Sequence, residues 1–150
     1  IKLKLPIVKG TTVKIVTSRF TRTLSTLMSS GIPLLRSMEV VSKVVNNKVV
    51  EEKLISGIED IRRGVPLSRM IRDIEIFPPM VDSMVKIGEE SGALDDILLK
   101  TADFYDEEVD VALTKLTSML EPLMIVFMAL IIGFIVIAMY LPMFEVVNTI

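Results

Sequence analysis

The side chains best able to do chemistry in this 150-residue chain are carboxylates. Four of them flank one turn rich in Gly and Ser, namely Glu89, Glu90, Asp95 and Asp96. Paired carboxylates can act as general acid and base, or bind a hard divalent cation through oxygen ligands. A structural interpretation competes with this one, because Asp95 and Asp96 also suit the first turn of a helix, where the helix dipole favours anions. We favour the structural interpretation and keep the cation site as an alternative.

Other kinds of site are excluded by the residue types that the sequence lacks. It contains no cysteine and no histidine, so neither a zinc site built from them nor a Ser–His or Cys–His pair can form. No Gly-rich loop is followed by Lys-Ser or Lys-Thr, which argues against a P-loop for nucleotides. Aromatic residues make up 5% of the chain and do not alternate with basic ones, which argues against a nucleic-acid interface. We therefore expect no enzyme activity, no cofactor and no nucleic-acid partner.

The charged side chains are distributed unevenly, although the net charge is only −2. Before Glu39 the chain carries basic residues and no acid, which suits an anionic lipid surface or, more simply, a solvated helix face. From Asp82 to Glu121 it is mainly acidic, with a dense run made of Asp103, Asp106, Glu107, Glu108 and Asp110. Two interpretations of its central part, Asp106 to Glu108, stay open, a solvated helix face and a docking surface for a basic partner.

Among the structural elements that the sequence predicts, the clearest is one long apolar segment near the C-terminus. Residues 123–141 contain no charge, and as a helix they would cover about 29 Å, close to the roughly 30 Å hydrocarbon core of a bilayer. Glu121 and Glu145 bracket the segment, and Tyr140 lies where an interfacial aromatic is expected. We predict a transmembrane helix over residues 121–144, with a kink at Pro122.

Upstream of this segment, apolar residues recur at steps of three and four, the period of an amphipathic helix. Glycine and proline interrupt the pattern often enough to separate six helices. We predict an all-α fold, in which a compact antiparallel six-helix bundle over residues 13–120 is followed by one C-terminal transmembrane helix. Residues 1–12 are predicted to be a juxtamembrane linker, and residues 145–150 a short tail. The cytoplasm is the expected location of residues 1–120.

Glycine and proline also predict where the individual helices begin and end. The predicted boundaries are Val13 to Gly31, Pro33 to Asn46, a third helix ending at Gly64 before Pro66, a fourth over residues 67–72, a fifth after Phe77-Pro78-Pro79, and a sixth from Leu94 into the apolar segment. The fifth helix is predicted to carry its apolar stripe on Met80, Met84 and Ile87.

A turn is predicted by composition at Gly88-Glu89-Glu90-Ser91-Gly92. Two interpretations are open for Glu89 and Ser91. They could contact a partner or a cation, or they could be capping residues that fix the angle between the fifth and sixth helices. We favour the capping interpretation.

Short motifs follow one another along the chain in a fixed order. They are Phe20-x-Arg22-x-Leu24, Ser30-Gly31-Ile32-Pro33-Leu34, Gly64-x-Pro66-Leu67, Phe77-Pro78, Gly88-Glu89-x-Ser91-Gly92-x-Leu94, Glu121-Pro122-Leu123 and Pro142. This series resembles the inner-membrane platform-protein family of type II secretion (protein F) and type IV pilus systems. The resemblance covers nearly the whole chain.

The resemblance implies a polytopic inner-membrane protein with two such helical domains, of which this chain would be the second cytoplasmic domain plus the last transmembrane helix. The chain starts with Ile1, and we expect further residues upstream. The implied function is a platform that couples a cytoplasmic assembly ATPase to the extraction of pilin or pseudopilin from the membrane. Implied partners are that ATPase, other inner-membrane machine components, pilin or pseudopilin transmembrane helices, the lipid bilayer and further copies of the protein. The competing hypothesis is a membrane-anchored, divalent-cation-dependent enzyme that uses the carboxylates between Glu89 and Asp96.

Overall fold

The computed structural model describes the backbone of residues 6–150 and the side-chain environment of residues 9–150. Within that range the chain forms six α-helices and no β-strand, which confirms the predicted all-α class. The helices are α1 (Pro6–Ser29), α2 (Leu34–Val44), α3 (Lys48–Arg62), α4 (Leu67–Asp73), α5 (Pro79–Ser91) and α6 (Leu94–Asn148). The apolar segment is the continuation of α6 and not a separate helix.

The start of the first helix differs from the prediction. Helix α1 begins at Pro6 and not near Val13, so the predicted linker is helical from Pro6 onward, and residues 1–5 lie outside the described residues. Proline suits the first helical position because its φ is already helical and its missing N–H would have no intrahelical partner there. Thr11 is buried, so tertiary contacts begin before Val13. These contacts outweigh the low helix propensity of Gly10 and the two threonines that follow it.

Three glycines in the left-handed region follow helices α1, α3 and α5. Their φ angles are +85° at Gly31, +94° at Gly64 and +72° at Gly92. In each case the next residue donates its N–H to the carbonyl five residues back: Ile32 to Leu27, Val65 to Asp60 and Ala93 to Gly88. This is the Schellman arrangement, which satisfies helix-end carbonyls and reverses the chain, and it favours glycine because of the positive φ.

Prolines stand immediately before three of the helices. Pro33, Pro66 and Pro78 precede α2, α4 and α5, with φ angles near −60°. Pro33 thus lies one position before the first turn in which it was expected. Helix α3 begins differently, since the Asn47 side chain accepts hydrogen bonds from the N–H groups of Val49 and Val50.

Helices α1 to α5 pack consecutively, α1 on α2, α2 on α3, α3 on α4 and α4 on α5. The largest buried side chains include Phe20 of α1, Leu54 of α3 and Met70 of α4. The ring of Phe77 packs against Phe20 with centroids 4.6 Å apart, so the loop before α5 covers part of the core. Gly57 allows α4 to approach α3 closely, because a Cβ built there would lie 2.5 Å from Sδ of Met70.

The buried face of α5 differs from the prediction. The structure buries Val81, Val85 and Gly88, whereas Met80 is 39% and Ile87 52% exposed. The two sets are offset by one residue, and both recur at helical spacing. The missing side chain of Gly88 allows a close contact with Leu94 and Ile97 of α6, so the stripe that contains Gly88 is the buried one.

The chain divides into two compact units, Ile1–Val111 and Ala112–Ile150. The first unit contains the hydrophobic core. The second is the C-terminal part of α6, whose side chains are almost all exposed. The division falls earlier than the predicted boundary between residues 120 and 121. Pro122 and Pro142 both lie inside the helix, and the predicted tail is helical as far as Asn148.

Candidate functional site

Three features of the structure contain the residues singled out by sequence: a polar cluster between α1 and α6, the region around Glu89, and the apolar segment of α6. We call the first the α1–α6 polar cluster. It consists of Lys14, Ser18 and Arg22 on α1 with Asp103, Asp106 and Glu108 on α6.

Arg22 is the centre of the α1–α6 polar cluster. Its Nη2 donates to Oδ1 of Asp103 at 2.8 Å and also to Asp106. Asp106 accepts a further hydrogen bond from the hydroxyl of Ser18. One turn away, Lys14 Nζ lies 3.0 Å from Oε2 of Glu108. The acidic run therefore meets a basic helix of the same chain.

The cluster shifts the pKa values of its central groups. Hydrogen bonds to Asp103 and Asp106 raise the pKa of Arg22 above its ordinary value. Burial raises the pKa of Asp106, but the hydrogen bonds from Ser18 and Arg22 outweigh this effect, so the pKa of Asp106 lies below its ordinary value. Both shifts favour the charged pair near neutral pH.

These contacts with α1 bear on both interpretations of the acidic run, the solvated face and the docking surface. Asp103, Asp106 and Glu108 are engaged by α1, so these three carboxylates form neither a purely solvated face nor a free docking surface. Glu107 and Asp110 remain exposed.

Glu89 caps a helix other than the one expected. Its carboxylate accepts a hydrogen bond from Ser68 Oγ at 2.7 Å and a longer one from Ser68 N at 3.4 Å. Ser68 lies in the first turn of α4, so Glu89 supplies an acceptor that α4 lacks, since Pro66 has no side-chain acceptor. Glu89 thus ties α5 to α4, whereas the prediction had it fix the angle between α5 and α6.

The turn between α5 and α6 is shorter than predicted, because α5 continues to Ser91 and only Gly92 and Ala93 lie between the helices. The hydroxyl of Ser91 bonds back to the carbonyl of Gly88 at 3.4 Å. Gly88 itself determines how closely the helices approach. A Cβ built on it would lie 3.0 Å from Cα of Leu94 and 3.3 Å from Cβ of Ile97.

The four carboxylates of the candidate cation site are not brought together. Glu89 bonds to Ser68, Glu90 is exposed, and Asp96 lies 3.2 Å from Lys100 Nζ. The backbone carbonyl of Asp95 accepts a hydrogen bond from Ser25 Oγ at 3.0 Å. Among residues 9–150, no three acidic side chains are placed to hold a metal ion.

Sequence reasoning also missed an ion pair between α4 and α5. Arg72 Nε lies 2.8 Å from Oδ2 of Asp82, and this hydrogen bond lowers the pKa of Asp82 although burial opposes the shift. Lys53 Nζ donates to the carbonyl of Ile74 at 3.0 Å and so closes the end of α4. Neither contact could be predicted from the spacing of residues within one helix, since its two partners do not lie in the same helix.

The apolar segment of α6 meets the length and composition requirements of a membrane-spanning helix. Its most apolar 18-residue window has a mean hydropathy of 2.9, and none of that window is buried. Large apolar side chains point outward on all sides, including Leu130 at 68% and Phe134 at 76% exposed. Soluble helices present one apolar stripe, so this arrangement is typical of a helix surrounded by lipid or by other helices.

The sequence matches the family described as "Type II secretion system (T2SS), protein F" over residues 20–142. The chain belongs to this family. Arg22, the glycine and proline positions at the helix ends, Glu89 and Glu121-Pro122 all lie inside the matched range, and Pro142 is its last residue. The family predicted from the motifs is therefore confirmed.

Individual proteins of type IV pilus and type II secretion systems are similar to this chain over nearly its whole length. The type IV pilus assembly protein PilC of Thermus thermophilus is 44% identical over 150 residues, 99% of this chain and 37% of that protein. PilC of Pseudomonas aeruginosa is 38% identical over 148 residues, 99% of this chain and 40% of that protein. The type II secretion system protein F of Aeromonas hydrophila is 35% identical over 146 residues, 97% of this chain and 38% of that protein. The chain thus spans well under half the length of these curated relatives.

Proposed function

We propose that this chain is part of a platform, or scaffold, protein in the bacterial inner membrane that serves a type IV pilus or type II secretion assembly machine. The observation that carries the proposal is the family match over residues 20–142, together with relatives named as type IV pilus assembly protein and as type II secretion system protein F. In this proposal residues 1–120 lie in the cytoplasm and residues 121–144 cross the bilayer.

The proposed role is mechanical and not enzymatic. Two observations support this view. The sequence lacks the histidine and cysteine on which most nucleophilic and zinc chemistry depends. Glu89, one of the four carboxylates on which the enzyme hypothesis depends, is engaged in capping α4.

The platform would couple a cytoplasmic assembly ATPase to the extraction of pilin or pseudopilin from the membrane. Helix α6 supports this idea because it continues without a break from Leu94, beside the core, to Asn148, beyond the apolar segment. Successive turns of a helix are joined by backbone hydrogen bonds, so a helix transmits displacement better than a flexible linker of the same length.

The proposed partners follow from this arrangement. The helical bundle would bind the assembly ATPase and other inner-membrane components of the machine. The apolar segment would contact lipid, pilin or pseudopilin transmembrane helices, and further copies of the protein in a homo-oligomer.

Cross-linking in native membranes tests the proposal. A photo-reactive amino acid replaces Ile55, an exposed side chain of α3, and captured proteins are identified by mass spectrometry; Leu54, which is buried, is the matched control position. We expect the ATPase or another component of the assembly machine at position 55 and no capture at position 54. If a series of exposed bundle positions captures no machine component, the proposed role is wrong.

A further inference from the structure

Helices α1 and α6 are antiparallel and contact each other through polar side chains at several points. As the contact moves along α1 from Lys14 to Ser25, the partner on α6 moves back from Glu108 to Asp95. At the centre, residues one turn apart on α1, Ser18 and Arg22, share Asp106.

This arrangement distinguishes the observed axial position of α6 from the one in which residues one turn earlier, Leu99 and Ala102, would face Arg22. Arg22 bonds to Asp103 and Asp106, which lie one turn apart on α6. A slide of α6 by one turn, about 5.4 Å, would carry these acceptors beyond hydrogen-bonding distance of their present donors. Apolar contacts are non-directional and oppose such a slide only through differences in side-chain size. Polar groups, in contrast, are well known to fix the register of packed helices.

The apolar contacts of α6 end close to the cluster. Leu98, Ala102 and Tyr105 are buried in the core, and no residue of α6 after Tyr105 is fully buried. The polar contacts of Asp106 and Glu108 therefore hold the part of α6 that follows the last buried side chain.

We propose that Arg22 and Ser18 set the axial register of α6 on α1, and that Arg22 is thereby a positioning residue for transmission between the bundle and the apolar segment. The inference deepens the proposed function and rests on it for its role in assembly. The register itself is a property of the α1–α6 polar cluster and can be measured without reference to assembly.

The experiment measures register by thiol cross-linking in the full-length protein in membranes. Because these 150 residues contain no cysteine, two introduced cysteines are the only thiols of the segment. One pair, Lys14→Cys with Glu108→Cys, reports the register in the structure. A second pair, Lys14→Cys with Phe104→Cys, reports a position shifted by one turn. A short thiol-specific bifunctional reagent is applied to both pairs.

With Arg22 present, we expect the 14–108 pair to cross-link several-fold more efficiently than the 14–104 pair. Arg22→Ala should reduce this preference toward equal yields, because the directional contacts are lost. Arg22→Lys should retain part of it, since an ammonium group keeps the positive charge and its donors but lacks the fixed guanidinium geometry. Arg19→Ala is the matched control, an exposed arginine of α1 for which the described part of the chain shows no ion pair, and it should have no effect.

Assembly of pili or secretion is measured on the same variants. We expect Arg22→Glu to abolish assembly and Arg22→Lys to retain it, at unchanged protein level in the membrane. An unchanged cross-linking preference in Arg22→Ala and Arg22→Glu would overturn the inference about register. A lost preference with normal assembly would support the register and contradict the proposed coupling function, so the two failures can be told apart.

Discussion

Replacing Glu89 by alanine removes the acceptor at the start of α4 and leaves Ser68 without its side-chain partner. The Ser68 hydroxyl, which donates at 2.7 Å, carries most of this interaction, because the backbone bond at 3.4 Å is long. Loss of a helix cap costs about 1 kcal/mol, and a hydrogen bond to a charged group contributes about 1.5–3 kcal/mol. Since Glu89 is only partly buried, we expect Glu89→Ala to lower the free energy of unfolding by about 1–2 kcal/mol.

This loss corresponds to a fall in Tm of roughly 5–10 °C for a domain of this size. Differential scanning calorimetry of the full-length protein in nanodiscs measures it. Glu89→Gln should lose less, because the amide keeps one acceptor oxygen. Glu90→Ala, which changes the exposed neighbour, is the matched control. The double variant Ser68→Ala/Glu89→Ala should show a coupling free energy of about 0.5–1.5 kcal/mol.

Equal effects of Glu89→Ala and Glu90→Ala, or a coupling near zero, would refute the capping role. The same assay also tests the cation hypothesis. A ligand that binds the folded state raises Tm with its concentration. A rise on addition of Mg²⁺ or Ca²⁺ that disappears in Glu89→Gln would favour a cation site, and we expect no such rise.

Two further predictions concern packing and pH. Gly88→Ala should destabilise the protein by about 1 kcal/mol, because crowding against the backbone of Leu94 outweighs the better helix propensity of alanine. Gly10→Ala, whose Cβ meets nothing within 4 Å, is the control and should be neutral or stabilising. Thermal unfolding of the two variants compares them. Since the pKa of Asp106 is lowered, its contribution is present above the unfolded value of about 3.9 and is lost as pH falls through the folded pKa. Asp106→Asn should lower the free energy of unfolding by less than about 1 kcal/mol, because the ion pair with Arg22 is partly exposed. The difference in Tm between wild type and Asp106→Asn should therefore be largest near neutral pH and shrink below about pH 4.

The helix boundaries set by local chemistry were the most predictable part of the fold. Gly31, Gly64 and Gly92 adopt positive φ, which glycine does most readily, and a proline follows Gly31 and Gly64 two residues later. These signals involve only a few neighbouring residues, so they can be recognised without knowing how the helices pack. The start of α1 was less predictable, because contacts made by residues distant in sequence stabilise its first turns.

Which of two apolar stripes is buried could not be predicted for α5. The stripe of Met80 and Ile87 and the stripe of Val81 and Val85 both have helical spacing. Their difference lies in the contact with the neighbouring helix α6, for whose Leu94 Gly88 of α5 leaves room. A pattern within one helix contains no information about the shape of the surface that it meets.

We also did not predict which residues the candidate site residues contact, although the charge pattern of the sequence contained a signal. The basic first helix and the acidic sixth helix are complementary, and we interpreted each as a solvated face or as a surface for something outside the chain. In the structure Lys14 and Arg22 meet Glu108, Asp103 and Asp106. Segregation of opposite charges on two helices of one bundle is therefore a reason to expect that the helices pair with each other.

The central proposal is that α6 couples the helical bundle mechanically to the membrane. An insertion of roughly two helical turns after Leu120 tests it most directly, as Gly-Ser in one variant of the full-length protein and as alanine in the matched control. Both variants are assayed for assembled pili or secreted substrate and for copurification of the assembly ATPase. We predict that the Gly-Ser insertion abolishes assembly while the ATPase still copurifies, and that the alanine insertion retains assembly. Normal assembly with the Gly-Ser insertion would contradict the claim.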